Sequence, residues 1–472
     1  MSTPKPFLRL CTSDEAWAAL ATVTPLGTET VAARGALGRV LAEAVTARED
    51  VPHFFRSNMD GFAVRAADTA EAGDEGTVAL QLVGEVRMGE EAVQRLDAGC
   101  AIRVSTGAMM PPGADAVVMV EHTEEAGAVV RVHRAVARGN NTIAVAEDLK
   151  QGEMVLPAGH RLRGSDVGVV TGAGRATVVV HRVPRVGVAA TGDEIVEPED
   201  DLPPGRVRNV NQYLLASMAR AQGAHVVDYG VVRDDPAALD RLFADAAREC
   251  DVLLLSGGSS KGTGDLVKDA LGRLGDVHVH FHGIAIAPGK PTMFAQAGGL
   301  SILGVPGNPA AAAVVFVLFG SVLLRLREGE SAARIHATRP RVRAVLAERV
   351  ASTPGREDWI RVRLVEGGAA DAASVSGAGV AGGGGVAGVT GAAAVSGAAI
   401  VGAGGVSAAG AAVTLSGSGA GARGLAALPL AVPLRGKSVA ISTIARADGL
   451  LRIPRSSEGL DAGTEAEVWL LP

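Results

Sequence analysis

Residues 251–265, DVLLLSGGSSKGTGD, run from an unbroken apolar stretch into a glycine-rich turn that holds Lys261 and ends on Asp265. Gly257, Gly258, Gly262 and Gly264 let the backbone approach an anion and point N–H groups at it, so the turn suits a phosphorylated ligand. Asp265 stands where a helix should begin, and a carboxylate there caps the helix or holds a divalent metal beside a phosphate. Two more acids, Asp193 and Glu194, lie in TGDE (191–194), and Lys290 lies in PGKP (288–291), a loop stiffened by Pro288 and Pro291. Cleaving a phosphoanhydride needs charge neutralisation on phosphate, a held metal and a placed nucleophile. Mg²⁺ takes one or two carboxylates and draws its other oxygens from substrate and water. A plainer reading stands beside this one: Asp265 as a helix cap, Asp234 as a shaper of the RDDP turn (233–236), and Lys290 as a solvated loop lysine.

These residues need a frame. From about Arg185 to Leu326 the sequence alternates RVGVAAT, NQYLLASMARAQG, HVVDYGVV, PAALDRLFADAAREC and DVLLLS. Short apolar runs alternating with helical periodicity predict a parallel sheet with helices on its faces. Ligands of such sheets sit beyond the carboxyl ends of the strands. TGDE, SGGSSKGTGD (256–265) and PGNP (306–309) all follow strands and belong to that edge. PGNP opens an uncharged segment, 309–324, so an anion near that helix N-terminus is favoured. The segment is shorter than the roughly 20 residues of a bilayer span, and Pro309 suits a first helical turn. It is predicted to be a buried or interface helix.

Elsewhere, Thr12–Leu20 and Thr28–Leu41 are predicted helices, and 51–145 reads as short strands separated by glycine and proline turns. The predicted organisation is a segmented helical N-terminal domain (1–50 and 146–184), a β-rich domain (51–145), an α/β domain (185–330) and a small C-terminal β domain (331–366 and 425–472). Residues 367–424 are almost all Gly, Ala, Val and Ser, with only Asp371 and Arg423 charged, and read as a flexible low-complexity insertion. The net charge of −6 gives no hint of nucleic-acid binding. Cys11, Cys100 and Cys250 form no CxxC pair, and the N-terminus lacks a signal-peptide core, which together suggest a reducing cytoplasm. His278, His280 and His282 alternate in HVHFH, a pattern that suits metal ligation or a half-exposed strand. No GxSxG elbow or HExxH helix occurs.

Eight motifs occur in a characteristic order: SNMDGFAV (57–64), STGAMMPPGADAVVMVE (105–121), AEDLKQGE (146–153), ATGDEIVEP (190–198), RDDP, SGGSSKGTGD, APGKPT (287–292) and GVPGNPA (304–310). With PLRGKSVAISTIARADGLLRIP (433–454), the set resembles the molybdopterin molybdenumtransferase family, which includes the E domain of gephyrin. The resemblance implies an α/β multidomain chain whose α/β domain has the molybdopterin adenylyltransferase fold and takes the nucleotide and pterin. It implies insertion of molybdate, as substrate, into adenylylated molybdopterin. The pterin–AMP anhydride is cleaved with Mg²⁺ assisting, giving molybdenum cofactor and AMP. The implied setting is a cytoplasmic homodimer, in possible contact with the adenylyltransferase, with no nucleic-acid or membrane partner.

Carried over residue by residue, the resemblance implies catalytic roles for Asp60, Thr106, Asp148, Glu194, Asp234, Asp265 and Lys290. Binding roles are implied for Thr191, Gly192, Gly257, Gly258, Ser259, Gly262, Pro291, Pro306, Gly307, Asn308, Pro309 and Ser442, with Glu194 and Asp265 on the metal. Ser438 is the neighbouring match to Ser442, and Arg356 or Arg361 supplies further positive charge. Asp60, Thr106 and Asp148 equally suit turns. The chain departs from many relatives at Ala287, where lysine is usual, and at Ala311, where serine is usual, which leaves the anion pocket less positive or dependent on another residue. Two other functions fit parts of the chain: a molybdopterin adenylyltransferase, matching region 185–326, and a gephyrin-like scaffold without transferase activity.

Overall fold

Helix α1 (Ser13–Leu20) begins where Thr12 and Glu15 cap each other. The Thr12 hydroxyl accepts the Glu15 N–H (3.2 Å) and the Glu15 carboxylate accepts the Thr12 N–H (2.7 Å). The computed structural model describes residues 10–74, 76–257, 263–366, 428–436 and 439–471, with only the backbone of 263–265. Gly258, Ser259, Gly262, Ser438, the Asp265 side chain and the 367–424 insertion therefore lie outside the described residues. The chain divides into two units, Gly27–Arg182 and a second made of Met1–Leu26 with Val183–Pro472.

In the second unit, six strands form one mixed sheet: β1 (Arg185–Thr191), β2 (His225–Val232), β3 (Val252–Ser256), β4 (Val277–His282), β5 (Met293–Ala297) and β6 (Leu300–Val305). Their order is β2-β1-β3-β6-β5-β4. The first four are mutually parallel, β5 runs antiparallel to them, and β4, antiparallel to β5, returns to their direction at that side. Helices α2 (Asn211–Ala221), α3 (Pro236–Glu249), α4 (Thr263–Arg273) and α5 (Pro309–Arg327) complete the layers.

Side-chain alternation along the central strands builds two cores. Val252 and Leu254 of β3 join α1, α2 and α5 on one face, while Leu253 and Leu255 join α3 and α4 on the other. Helix α3 contributes Leu239, Leu242, Phe243 and Ala246, the spacing of a single apolar stripe. Each such Leu or Phe contributes about 1.5–3 kcal/mol of burial. Helix α5 carries no charge before its last turn, where Arg325 and Arg327 stand, and is largely buried, so it is a core helix, with a short π segment at Phe316–Gly320.

Among the described residues, five further strands close into a ring: β7 (Arg341–Leu346), β8 (Glu357–Val365), β9 (Leu430–Pro433), β10 (Gly449–Ile453) and β11 (Glu465–Leu470). Strand β8 pairs on one side with β9 and on the other with β10, which shuts the ring. The ring is stitched to the α/β part through a short parallel pairing, Ile286 with Glu357 and Ala287 with Asp358. Glu357 is buried there, accepting from Ser13 Oγ (2.8 Å) and pairing with Arg452.

The Gly27–Arg182 unit carries its own six-stranded sheet, in the order Ala116–Met119, Gly61–Val64, Cys100–Val104, Val78–Val86, Val129–Val132, Thr123–Ala126. The predicted helix over Thr28–Leu41 is not formed. Thr28–Ala32 is a strand antiparallel to Thr177–His181, followed by a single 3₁₀ turn at Ala33–Gly35. The β-branched TETV finds a partner in TVVV, and this pairing outweighs the helical spacing of the alanines. Since α1 belongs to the other unit, residues 1–50 are not one structural piece.

A buried cluster anchors the Gly164–Gly172 helix in this unit. Asp166 accepts from His160 Nε2 (2.7 Å), Arg163 Nε (3.0 Å), Arg163 Nη2 (2.9 Å) and the Arg163 backbone N–H (2.8 Å). Burial alone would raise its carboxyl, but the Arg163 and His160 bonds outweigh burial and hold it well below the usual carboxylate range. A carboxyl lowered by folding adds stability above its unfolded pKa, and that stability drains away as pH falls. Asp166→Asn is therefore expected to destabilise the unit by about 1–3 kcal/mol at pH 7. In urea titrations the gap to wild type should close below about pH 4.

Candidate active site

The register of the parallel strands puts four turns side by side. Thr191 pairs with Val232, Ala190 with Ser256, and Ser256 with Val305, so β1, β2, β3 and β6 all end at one level. TGDE, RDDP, the turn opening at Gly257, and PGNP leave from that edge. Gly257 adopts φ +94°, and a Cβ there would lie 2.2 Å from the Thr191 carbonyl oxygen. No other residue fits so tight an exit.

The acids of TGDE and RDDP meet at this edge. Burial first, then the nearby carboxylates of Asp193 and Glu194, push the Asp234 carboxyl up from its ordinary value. Its neighbour Asp235 is the residue that caps α3, accepting the Ala238 N–H at 2.9 Å with Pro236 in the first turn. The turn-shaping task thus falls to Asp235, and Asp234 is left facing the other acids. The Glu194 carboxylate folds back over Gly192, 2.6 Å from where a Cβ of that residue would stand. Thr191 is buried beneath, its hydroxyl donating to the Ser256 carbonyl at 3.5 Å.

Lys290 lies on the next loop. A cavity of about 310 Å³ is walled by Lys290, Pro291, Pro306, Asn308, Ala311, Ala287 and Arg356 among others. Gly289 lets the loop turn with φ +126°; a Cβ would strike Ile286 Cδ1 at 2.6 Å and Val315 Cγ2 at 2.8 Å. The Lys290 carbonyl accepts the Ile284 N–H (2.9 Å), and Thr292 Oγ1 donates to the Gly289 carbonyl (2.6 Å). Arg356 reaches the cavity from the loop before β8, held by Asp358 at 2.9 Å. An adjoining cavity of about 390 Å³ shares Ala287, Pro288 and Arg356 and adds Arg361 and Arg435. Burial lowers the Arg361 guanidinium from its ordinary value, and its Nη2 donates to the Gly436 carbonyl (3.2 Å). A lysine–arginine pair with an asparagine and proline-stiffened backbone suits a compact oxyanion.

Ala287 and Ala311 both fall on the wall of the smaller cavity, where neither offers a donor from its side chain. Gly307 sits in the turn between that cavity and α5, and Pro309 takes the first position of the helix. Ser442 is exposed at the start of a short helix, Ser442–Ala445, and does not line the cavity. In the other unit, Asp60 accepts from Thr106 N (2.7 Å) and Thr106 Oγ1 (3.1 Å), which brings those two residues together, while Asp148 is exposed in a separate turn. His278 and His280 meet edge to face at 4.3 Å, and His280 bonds Gln296 (2.6 Å) and stacks on Phe294.

One residue at this edge has no counterpart in the sequence reading. Asn211, buried at the first position of α2, donates through Nδ2 to Ser256 Oγ (2.6 Å) and to the Gly307 carbonyl (2.8 Å). Its only sequence signal is a polar residue at the strand-edge end of a helix, which ordinary capping also explains.

Residues 11–174 match the MoeA N-terminal region (domain I and II), 187–325 a probable molybdopterin binding domain, and 423–471 the MoeA C-terminal region (domain IV). The molybdopterin molybdenumtransferase of Bacillus subtilis is 38% identical over 299 residues, covering 62% of this chain and 69% of that protein. Molybdopterin molybdenumtransferase 1 of Mycobacterium tuberculosis is 31% identical over 352 residues, covering 71% and 81%. The chain belongs to the molybdopterin molybdenumtransferase family. A solved molybdopterin biosynthesis MoeA protein from Pyrococcus horikoshii superposes over 98% of this chain with a TM-score of 0.74 at 27% identity. The family match thus extends over both units and the C-terminal ring, beyond the α/β sheet alone.

The acid cluster makes a test with a definite sign. A carboxyl raised by folding gives stability at low pH that is lost as pH rises through its folded value. Asp234→Asn is therefore expected to stabilise the protein slightly at pH 7, by less than about 1 kcal/mol because the group is partly exposed. Differential scanning fluorimetry should show that advantage vanish near pH 4. A loss of stability at pH 7 would contradict the clustering of Asp193, Glu194 and Asp234.

Proposed function

We propose that this protein inserts molybdate into adenylylated molybdopterin and cleaves the pterin–AMP anhydride, releasing molybdenum cofactor and AMP. The observation that carries this reading is the common level of four strand ends, with acids on two turns and a lysine–arginine oxyanion cavity against a third. Family membership supports the same chemistry. In the proposal, the turn opening at Gly257 takes the phosphates, with Gly258, Ser259 and Gly262 giving backbone donors. Lys290 holds the oxyanion, helped by Arg356, beside Pro291, Pro306, Asn308 and the start of α5 at Pro309. Ser442 contacts the substrate in the loaded state in this proposal.

The acids suit a hard divalent cation, because an Asp234 carboxyl raised by its neighbours Asp193 and Glu194 is relieved by a shared positive charge. We infer that Glu194 and Asp265 hold Mg²⁺ with Asp234 beside them. When bound, the ion would neutralise charge on the anhydride. Asp234, half-buried beside them, accepts the proton of an attacking water in this scheme. Asp60, Thr106 and Asp148 are proposed to contribute from the β-rich unit of a homodimer. A cytoplasmic setting and a passing contact with the adenylyltransferase that makes the substrate belong to the same proposal. An adenylyltransferase as the main activity is disfavoured, because the family match includes 11–174 and 423–471. No observation favours a scaffold role.

Incubation with adenylylated molybdopterin, Mg²⁺ and molybdate should release AMP, and chelation by EDTA should stop it. Lys290→Ala is expected to lower kcat/KM for molybdate by about 10²-fold or more, the scale of losing one charged donor at an oxyanion. AMP release unchanged by Lys290→Ala would remove this lysine from the mechanism. Absence of AMP with the wild-type protein would refute the activity itself.

A further inference from the structure

Two turns do separate tasks in the proposed reaction, one holding the nucleotide-tagged pterin after β3 and the other walling the oxyanion cavity after β6. Asn211 bonds to the strand end that precedes the first turn and to the second turn itself. Its Nδ2 donates to Ser256 Oγ (2.6 Å), the last residue of β3, and to the Gly307 carbonyl (2.8 Å), with the Pro306 carbonyl at 3.5 Å. Carbonyls only accept, so the amide has one sensible orientation, with nitrogen towards the turns. The opposite atom, Oδ1, is buried with no hydrogen bond among the described residues. Burying an amide this way costs stability that an apolar side chain would avoid, so its donors have a task. A backbone link runs in parallel, from the Gly257 N–H to the Val305 carbonyl, but at 3.4 Å it is long. The short side-chain bonds therefore tie Gly307, two residues past the last pairing of Ser256 with Val305, back to the end of β3.

We propose that Asn211 is a positioning residue that latches the PGNP turn to Ser256 at the end of β3, so that filling the oxyanion cavity is coupled to the position of Ser256 and Gly257, from which the anhydride-holding turn departs. The inference rests on the functional reading above and deepens it: the latch makes anhydride cleavage depend on the oxyanion. Asn211 touches neither the oxyanion nor the anhydride in this scheme. It acts through Gly307 and Ser256.

The test uses Asn211→Asp, which keeps shape and size but turns a carboxylate oxygen towards the Pro306 and Gly307 carbonyls. The KM for molybdate in AMP release is expected to rise about tenfold, the worth of one lost buried hydrogen bond, with a smaller fall in kcat. The stimulation of AMP release by molybdate over its absence should shrink by a similar factor. Isothermal titration of molybdate onto the protein without pterin gives a second readout, expected to weaken in parallel. A wild-type molybdate KM and titration curve in Asn211→Asp would overturn the latch. So would a fall in kcat and melting temperature with molybdate affinity unmoved, which is what mere packing predicts. Should Asn211→Asp fail to fold, Ser256→Ala removes one partner of the latch, and an unchanged molybdate KM there overturns it equally. If wild-type protein binds molybdate but releases no AMP, the functional reading fails, while the titration still decides the latch.

Discussion

Register between parallel strands is the constraint on which the site depends. Once β1, β2, β3 and β6 pair with Thr191, Val232, Ser256 and Val305 at one level, their following turns have to emerge together. That level is held by side chains packed on both faces, since a slip of one residue would exchange the two cores built by Val252 and Leu254 against Leu253 and Leu255. The site thus inherits its precision from the packing of α3 and α4 below and α2 and α5 above. Gly257 and Asn211 then refine it, one by admitting a close crossing over Thr191 and the other by tying two turns.

The C-terminal ring adds positive charge to the cavity that Lys290 lines. The pairing of Ile286–Ala287 with the start of β8 carries Arg356 to the cavity, and Asp358 keeps it there. Asp358 has a second bond from Ser352 Oγ (2.9 Å), so its carboxylate is not consumed by the arginine. A guanidinium tethered by a buried acid keeps its direction but gives up part of its field. The cavity walled by Ala287 and Ala311 consequently takes its positive charge, among its described lining residues, from this tethered arginine and from Lys290.

Much of the α/β architecture was legible because period-2 and period-3.6 patterns were strong and uninterrupted there. VLLLS could only be a doubly covered strand, and PAALDRLFADAARE only an amphipathic helix. Thr28–Leu41 misled because its alanines fit a helix, while the deciding partner, TVVVH, lies some 150 residues further on. Such pairing energy has no local signature. In RDDP the sequence offered two aspartates for one cap, and the fold gave that task to Asp235.

By itself the sequence determined which chemistry was available: glycine turns for phosphate, acids for a cation, a proline-stiffened lysine for an oxyanion. These follow from residue type and neighbours in the chain, so they survive without coordinates. Tertiary structure alone decided which of them share a place. It brought Asp234 near Asp193 and Glu194, Arg356 to the cavity that Lys290 lines, and Asn211 between Ser256 and Gly307. Each of those meetings joins residues tens of positions apart, and only the burial of two hydrophobic layers fixes where such distant residues come to rest.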